Sequence, residues 1–172
     1  MSLKAKVRIK EFDPGVLERL KKSTKETRVV VGLPKDAAPY PDGTPVQGVG
    51  ATHEFGAEGI FTFTGRSGDR VTVNGIPERS FLRSTLDQNE DQYLKMLEKG
   101  ILNFVEKGTP LRHALGSVGL QATGDVQQMI TDIQEPPNSP QVVKAKGSSN
   151  PLIDTGHMRQ SVNFEVREAK DV

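Results

Sequence analysis

The sequence lacks cysteine entirely. Without cysteine there is no disulfide framework, no thiolate metal ligand and no cysteine nucleophile. Aromatic residues make up only 5% of the chain, whereas 17 glycines and 11 prolines are present, and this balance predicts long loops around a modest core. The N-terminus has no apolar signal core, and no apolar run approaches membrane-spanning length. We therefore expect a soluble protein that is not secreted through a cleaved signal.

The sequence also lacks an excess of charge of one sign. Lys and Arg number 23 against 22 Asp and Glu, and the formal net charge is +1. A free nucleic-acid-binding protein usually carries a clear basic excess, so duplex binding is disfavoured as the main function. A DNA-binding module stays as one alternative, with Lys144, Lys146, Arg66 and Arg70 as its phosphate contacts.

Motifs for phosphate binding and metal binding are missing as well. Neither Gly-x-x-x-x-Gly-Lys-Ser/Thr nor a strand-linked Gly-x-Gly-x-x-Gly occurs, and the spacing of His53, Glu54, Asp154 and His157 matches no known ligand pattern. The Asp-Thr-Gly triplet at Asp154 resembles an aspartic-protease triplet, which requires a second carboxylate. We expect no cofactor, no metal and no catalysis, and a small hydrolase using Asp154 with His53 or His157 stays as the alternative.

Periodicity predicts the fold class. Alternation over Leu3–Phe12 indicates a strand, Asp13 opens a short helix, and the Val29–Val31 run indicates a central strand. Alternating segments 60–64 and 69–75 predict a β-hairpin, and two long amphipathic helices follow, with a stop at Gly108. The last strand, 162–166, is placed beside Val29–Val31. We predict an α+β fold: a small, mostly antiparallel sheet with two long helices packed on it, plus the hairpin and long loops.

Two segments rich in proline and glycine, 35–50 and 136–150, are predicted to be extended loops of a single domain that covers 1–172. The polar and aromatic side chains in these loops and at the hairpin tip are candidate assembly contacts. They are Tyr40, Asp42, Arg66, Asp69, Arg70, Lys144 and Lys146.

Residues 151–161, before the last strand, are predicted to have a structural role, and we call them the clasp. Asp154 or Thr155 is expected to cap a short helical turn, Gly156 permits the tight entry, and Met158 anchors the turn. Arg79 and Arg159 are expected to pair with carboxylates or helix-end carbonyls. The predicted core residues are Phe55, Phe81, Leu82, Leu152 and Met158.

Three separated phrases resemble the phage virion-morphogenesis family, the tail-completion or neck proteins of long-tailed bacteriophages. They are "THEFGAEG", "IPERSFLRSTLD" and "PPNSPQVVKAKGSSNPLIDTGHMRQSV", and they occur in the family's order. The positions that carry the resemblance as structural motifs are His53, Glu54, Phe55, Gly56, Pro77, Arg79, Phe81, Leu82, Asp154, Thr155, Gly156 and Arg159. The hairpin between the first two phrases is longer here than in many relatives.

The resemblance implies a non-enzymatic virion protein of the neck or upper tail, made in the bacterial host cytoplasm. Its expected partners are itself, as a ring of about six or twelve copies, a tail-tube or tail-terminator protein, and the head connector or portal-associated proteins. Genome DNA would pass through the ring without specific binding, and no membrane is involved. A head–tail adaptor or a tail-terminator ring is the alternative within this class.

Overall fold

Helices and strands are mixed along the chain in a computed structural model of the protein, which describes residues 27–168 except 67, together with 15, 16, 18 and 21. The order is β1 (Arg28–Gly32), α1 (Val46–Phe55), β2 (Ala57–Thr64), β3 (Arg70–Ile76), α2 (Leu82–Lys107), α3 (Leu111–Asp132), α4 (Pro140–Lys146), α5 (His157–Ser161) and β4 (Asn163–Arg167). The described strands form two antiparallel sheets, β1–β4 and β2–β3, of two strands each. The α+β prediction is confirmed: β1–β4 is the small sheet, and β2–β3 is the separate hairpin.

The chain divides into two compact units, and the boundaries between them fall inside β1, α2 and α3 and just before β4. One unit contains β1 as far as Val31, the segment Leu86–Thr123 and β4; the other contains Gly32–Thr85 and Gly124–Val162. The single-domain organisation stays a prediction. The strand predicted over Leu3–Phe12 lies outside the described residues, whereas 15, 16, 18 and 21 are helical, as expected after Asp13.

In the first unit, α2 and α3 pack on the β1–β4 sheet. Tyr93 of α2 is buried against Val118 and Ala122 of α3, and Val29 and Val31 of β1 pack on the same cluster. Since residue 93 meets residues 118 and 122 while Gly100 lies close to Ala114, the two helices run antiparallel. The predicted helical pair over a sheet and the pairing of the last strand with β1 are both confirmed.

Two glycines explain how this pair is closed and how tightly it packs. Gly108 ends α2 in the left-handed region with φ of 69°, and its N–H donates to Phe104 O at 3.0 Å, as expected of the predicted stop. Gly119 of α3 lies against β4, where a Cβ would overlap the ring of Phe164 and the side chain of Val29. A larger residue at 119 would therefore push the helix away from the sheet.

In the second unit, the β2–β3 hairpin packs on α4. Val71 of β3 is buried with Val142 and Ala145 of α4, and Val73 packs beside them. The register pairs Ile60 with Asn74 and Thr64 with Arg70, and a bulge interrupts β2 between 57 and 60. The predicted hairpin is confirmed; away from the turn its strands begin three residues earlier and end one residue later than predicted, at 57 and 76.

Both predicted loops contain a helix that sequence reading missed. Residues 46–50 belong to α1. Val46 and Gly50 are buried on one side of this helix, and a Cβ on Gly50 would overlap the side chain of Leu33. Within 136–150, α4 begins after Ser139, whose hydroxyl accepts from Val142 N, and ends at Gly147 with φ of 71°. These are ordinary start and stop signals, a capping serine followed by proline and a left-handed glycine.

The core predictions hold in part. Phe81, Leu152 and Met158 are buried, as expected. Leu82 is only half-buried, and Phe55, predicted as core, is 65% exposed because it is the last residue of α1 and its ring turns outward. Among the described residues, no helix is long and apolar enough to cross a membrane.

Candidate assembly site

A buried carboxylate joins the first two motif phrases. Glu54, in the last turn of α1, is 2% exposed. One of its oxygens accepts from Phe81 N and Leu82 N, each at 2.8 Å, and the other accepts from Ser80 Oγ at 2.8 Å and Arg83 N at 3.1 Å. The first N–H groups of a helix have no partner inside that helix. Glu54 therefore caps the start of α2 from a different helix, where the helix dipole also favours negative charge.

The hydrogen bonds decide the ionisation of this carboxyl group. Burial acts to raise the pKa of Glu54, but the bonds donated by Leu82 N, Ser80 and Arg83 outweigh it, so the pKa is lowered from its ordinary value of 4.5. Glu54 is therefore an anion at neutral pH with its acceptor capacity used. Such a carboxylate stabilises a backbone arrangement and is poorly placed to accept a proton from a substrate.

Arg83 covers the solvent side of this cap. Its Nε contacts a Glu54 oxygen at 3.1 Å, one terminal nitrogen donates to Glu54 O at 2.7 Å, and the same nitrogen pairs with Glu78 at 2.8 Å. The guanidinium also lies 5.0 Å from the centre of the exposed Phe55 ring, within the range of a cation–π contact. The exposed ring of Phe55 thus contacts the Arg83 cation and not the core.

The turn between α1 and β2 requires glycine. Gly56 has φ of 70°, and a Cβ there would lie 3.0 Å from Glu78 N and 3.1 Å from Ile76 O. In the phrase His-Glu-Phe-Gly, Phe55 is therefore the last residue of α1 and Glu54 caps α2. Gly56 lets the chain turn close to the backbone of the segment that precedes α2. Pro77, in that segment, is exposed.

Arg79 joins the second phrase to the third. Its guanidinium donates from Nε to Pro136 O at 2.7 Å and from a terminal nitrogen to Pro137 O and Asn138 Oδ1, each at 3.4 Å. Arg79 is 4% exposed, and burial lowers its pKa. The prediction that Arg79 pairs with carboxylates or helix-end carbonyls is wrong in its acceptors, which are two backbone carbonyls and an amide oxygen of residues 136–138, beyond the end of α3 at Asp132.

His53 lies against the same guanidinium. Arg79 N donates to His53 O at 2.7 Å, and Nδ1 of the ring lies 3.5 Å from a terminal nitrogen of Arg79. Burial, with the nearby positive charges of Arg79 and Lys146, lowers the pKa of His53 from 6.5 to about 4. The imidazole is neutral at pH 7. Among the described residues no contact joins His53 to Asp154, so one of the two pairings of the hydrolase alternative, Asp154 with His53, is not formed; the pairing with His157 stays a prediction.

Lys146 and Asn150 fold the third phrase onto itself. The Lys146 ammonium donates to Asn150 O and Pro151 O, both at 3.1 Å. The Asn150 side chain donates to Thr131 O at 2.8 Å and accepts from Leu152 N at 2.9 Å. Burial lowers the pKa of Lys146 to about 8, offset in part by Asp154. The role of Lys146 as an assembly contact stays a prediction, and in the described residues its ammonium is hydrogen-bonded to backbone carbonyls inside the unit.

Arg66 at the hairpin tip is also used inside the unit. Its Nε pairs with an Asp154 carboxylate oxygen at 3.1 Å, a terminal nitrogen donates to Asp154 O at 2.6 Å, and its backbone N–H donates to Ala145 O at 3.0 Å. Asp154 is therefore an ion-pair partner and not the predicted cap. Gly156 occupies the N-cap position of α5, and Thr155, one residue earlier, accepts from His157 N through its Oγ1 at 3.2 Å.

The clasp at α5 is closed by Gly156 and by an aromatic contact. Gly156 has φ of 81° before α5, which confirms the expected tight entry. The ring of His157 meets the edge of Tyr40 at 4.8 Å between centroids, and its Nε2 contacts Ala38 O at 2.7 Å. Tyr40 thus fastens the segment before α1 to α5.

The remaining candidate residues lie at the surface. Asp42 accepts from Thr44 N at 2.9 Å in a local turn, which lowers its pKa. Asp69, Arg70 and Lys144 are exposed, and their role as assembly contacts stays a prediction. Arg159 is exposed too, and among the described residues its side chain makes no ion pair, so its predicted pairing is wrong within that part of the chain.

The described residues hold no group of three or more His, Asp or Glu side chains arranged for a metal ion. Comparison of the chain with protein-family models, with curated proteins and with solved structures gives no match.

Proposed function

We propose that the protein is a structural virion component of the neck or upper tail of a long-tailed bacteriophage. Copies of the chain form a ring that connects the tail tube to the head connector. The single observation that carries the proposal is the meeting of the three resembling phrases in one unit. Glu54 of the first caps the helix opened by the second at Phe81, and Arg79 of the second holds the third at Pro136.

The chemistry of this cluster supports assembly over catalysis. Glu54 accepts five hydrogen bonds from Ser80, Phe81, Leu82 and Arg83, and a saturated carboxylate is a weak general base. Lys146 and Arg79 bind carbonyl oxygens. Each of these groups fixes backbone, which is the requirement for a protein whose work is to present a constant surface to neighbours.

The proposed partners follow from the same function. They are further copies of this chain, about six or twelve to a ring, a tail-tube or tail-terminator protein, and the head connector. The net charge of +1 fits a lumen through which genome DNA passes without specific binding. A head–tail adaptor or tail-terminator ring would use the same subunit, and binding to portal rather than to the end of a tail tube would identify an adaptor.

Gene deletion in the parent phage or prophage tests the proposal. Particles made without the gene are expected to separate into DNA-filled heads and unjoined tails in electron micrographs, and the wild-type gene supplied in trans should restore joined, infectious particles. Normal, infectious particles from the deletion strain would rule the proposal out. Joined, infectious particles made with Asp154→Ala together with His157→Ala would exclude the hydrolase alternative, since a hydrolase built on Asp154 would be inactive.

A further inference from the structure

Within the part of the chain that the structure describes, both outer edges of the β2–β3 hairpin are open. Among the described residues, each of its strands pairs only with the other. The backbone hydrogen bonds outside regular elements include none that reach Ile60, Thr62 or Thr64 of β2, or Arg70, Thr72 or Asn74 of β3. Open strand edges present rows of N–H and C=O groups that pair readily with another strand.

The alternation of hydrogen-bonded and non-hydrogen-bonded residue pairs along the hairpin shows which backbone groups point outward. Gly65 N donates to Asp69 O at 2.9 Å, so this pair is hydrogen-bonded. Hydrogen-bonded and non-hydrogen-bonded pairs alternate along an antiparallel ladder. The pair Thr62–Thr72 is therefore non-hydrogen-bonded inside the hairpin, and the 3.1 Å distance between its two Oγ1 atoms fits the closer side chains of such a pair. The N–H and C=O groups of both threonines consequently face the free edges.

These edges carry few of the features that normally protect an exposed strand. Edge strands are commonly blocked by charges, prolines or inward-pointing lysines. The segment 60–64 has no charge and no proline, and Arg70 is the one charged residue of β3. Ile60 is 79% exposed. A segment of this composition is prone to strand pairing unless a partner covers it.

The hairpin is fixed in place before any assembly. A Cβ at Gly65 would lie 2.5 Å from Ala145 Cβ, so the tip is in close contact with α4. Arg66 binds Asp154 at 3.1 Å, and Val71 is buried against Val142. Both edges are thus held in an orientation set by the unit, which lowers the entropy lost when a second strand pairs with them.

We propose that β2 of one copy pairs antiparallel with β3 of the next copy, so that the hairpins form a continuous sheet around the ring. The inference rests on the proposed ring and names its subunit contact. The two edges differ, so the contact is heterologous and repeats from copy to copy until the ring closes.

The register of the hairpin shows that these edges are compatible. Placing Thr62 of one copy opposite Thr72 of the next, Ile60 opposite Asn74 and Thr64 opposite Arg70 repeats the side-chain pairs that the hairpin already makes. No like charges then face each other. All six residues direct their backbone groups to the edge, so each pair becomes hydrogen-bonded and the contact gains about six backbone bonds.

Proline substitution tests the contact while sparing the hairpin. Proline is tolerated on an edge strand whose N–H faces outward, and it removes that N–H. Thr62→Pro and Thr72→Pro should each fold, with circular dichroism close to wild type, and should lower the ring fraction in the presence of the tail-tube protein at least tenfold. Thr62→Val keeps the N–H and should assemble normally. Normal ring formation by folded Thr62→Pro and Thr72→Pro would overturn the proposal.

Cysteine pairing gives a second measurement that does not depend on the proline variants. The chain has no cysteine of its own, so single variants Thr62→Cys and Thr72→Cys can be mixed, assembled into rings and treated with a short bismaleimide. Crosslinks between the two different variants support the β2–β3 contact. Rings in which crosslinks form only between two copies of the same variant, or do not form at all, overturn the β2–β3 contact but not the proposal of a ring. Failure to form any ring with the tail-tube protein would instead overturn the proposed function.

Discussion

The carboxylate of Glu54, near the end of α1, accepts a 2.8 Å hydrogen bond from the backbone N–H of Phe81, which immediately precedes α2. The two residues are 27 positions apart, and Phe81 is fully buried. A helix cap is usually supplied by the residue next to the helix. Here the cap comes from another helix, so the end of α1 and the start of α2 are stable only together.

Replacing Glu54 should therefore destabilise the protein strongly. Glu54→Gln keeps the shape but removes the charge and turns one acceptor into a donor that faces N–H groups. We expect a loss of about 3 kcal/mol in the free energy of unfolding, measured by urea denaturation. Glu58→Gln, at an exposed position of β2, is the control and should change stability by less than about 0.5 kcal/mol. Equal stabilities for the two variants would contradict the capping role.

The free energy of unfolding should also decrease as the pH is lowered through a range set by His53. Its pKa is about 4 in the folded protein and 6.5 ordinarily, so the unfolded chain binds more protons between these values and stability decreases as pH falls through them. The expected decrease is about 2–3 kcal/mol. His53→Gln should flatten this slope, while His113→Gln, at an exposed position of α3, should retain it. A slope that survives His53→Gln would show that another group is responsible.

Glu54 adds a second, more acidic window. Its pKa is lowered below the ordinary 4.5, so its contribution is present above pH 4.5 and is lost as pH falls through the folded pKa. Below pH 4.5, Glu54→Gln should lose less stability on acidification than the wild type does. Parallel stability curves for the two proteins in this range, from urea denaturation at each pH, would contradict the lowered pKa.

Gly65 should tolerate no side chain. A Cβ there would lie 2.6 Å from Ala145 O, so Gly65→Ala must push the hairpin tip away from α4. We expect a destabilisation of about 1–3 kcal/mol in thermal unfolding. Gly48→Ala is the matched control, because Gly48 lies in α1 with nothing within 4 Å of a Cβ. It should stabilise the protein by up to about 1 kcal/mol, and a Gly65→Ala variant as stable as wild type would refute the close contact.

The sequence predicts the elements whose signals are local. Gly108 and Gly156 have positive φ, and the sequence predicts the stop after α2 at the first and the tight turn before α5 at the second. The stripe of α3 predicts the buried Val118 and Ala122, and alternation predicts the β2–β3 hairpin. In each case the deciding interaction lies within a few residues, where period and turn chemistry suffice.

The errors concern interactions across long separations. Lys146 is predicted to lie in an extended loop, but it ends α4, where its ammonium binds carbonyls of the following segment. Phe55 reads as core because it is aromatic, yet it ends α1 beneath the Arg83 guanidinium. Gly48 and Gly50 read as helix breakers, whereas Gly50 is what lets α1 lie against Leu33. No local sequence pattern predicts the cap by Glu54, because the acceptor lies in α1 and the donors lie at and just before the start of α2.

The mass of the purified protein, measured by native mass spectrometry alone and with the tail-tube protein of the same phage, tests the proposed function most directly. A closed ring of about six or twelve copies, formed alone or on the tube and located at one end of the tube in electron micrographs, is the result we predict. A monomer whose mass is unchanged by the tube protein, and which binds neither tube end nor portal, would contradict it.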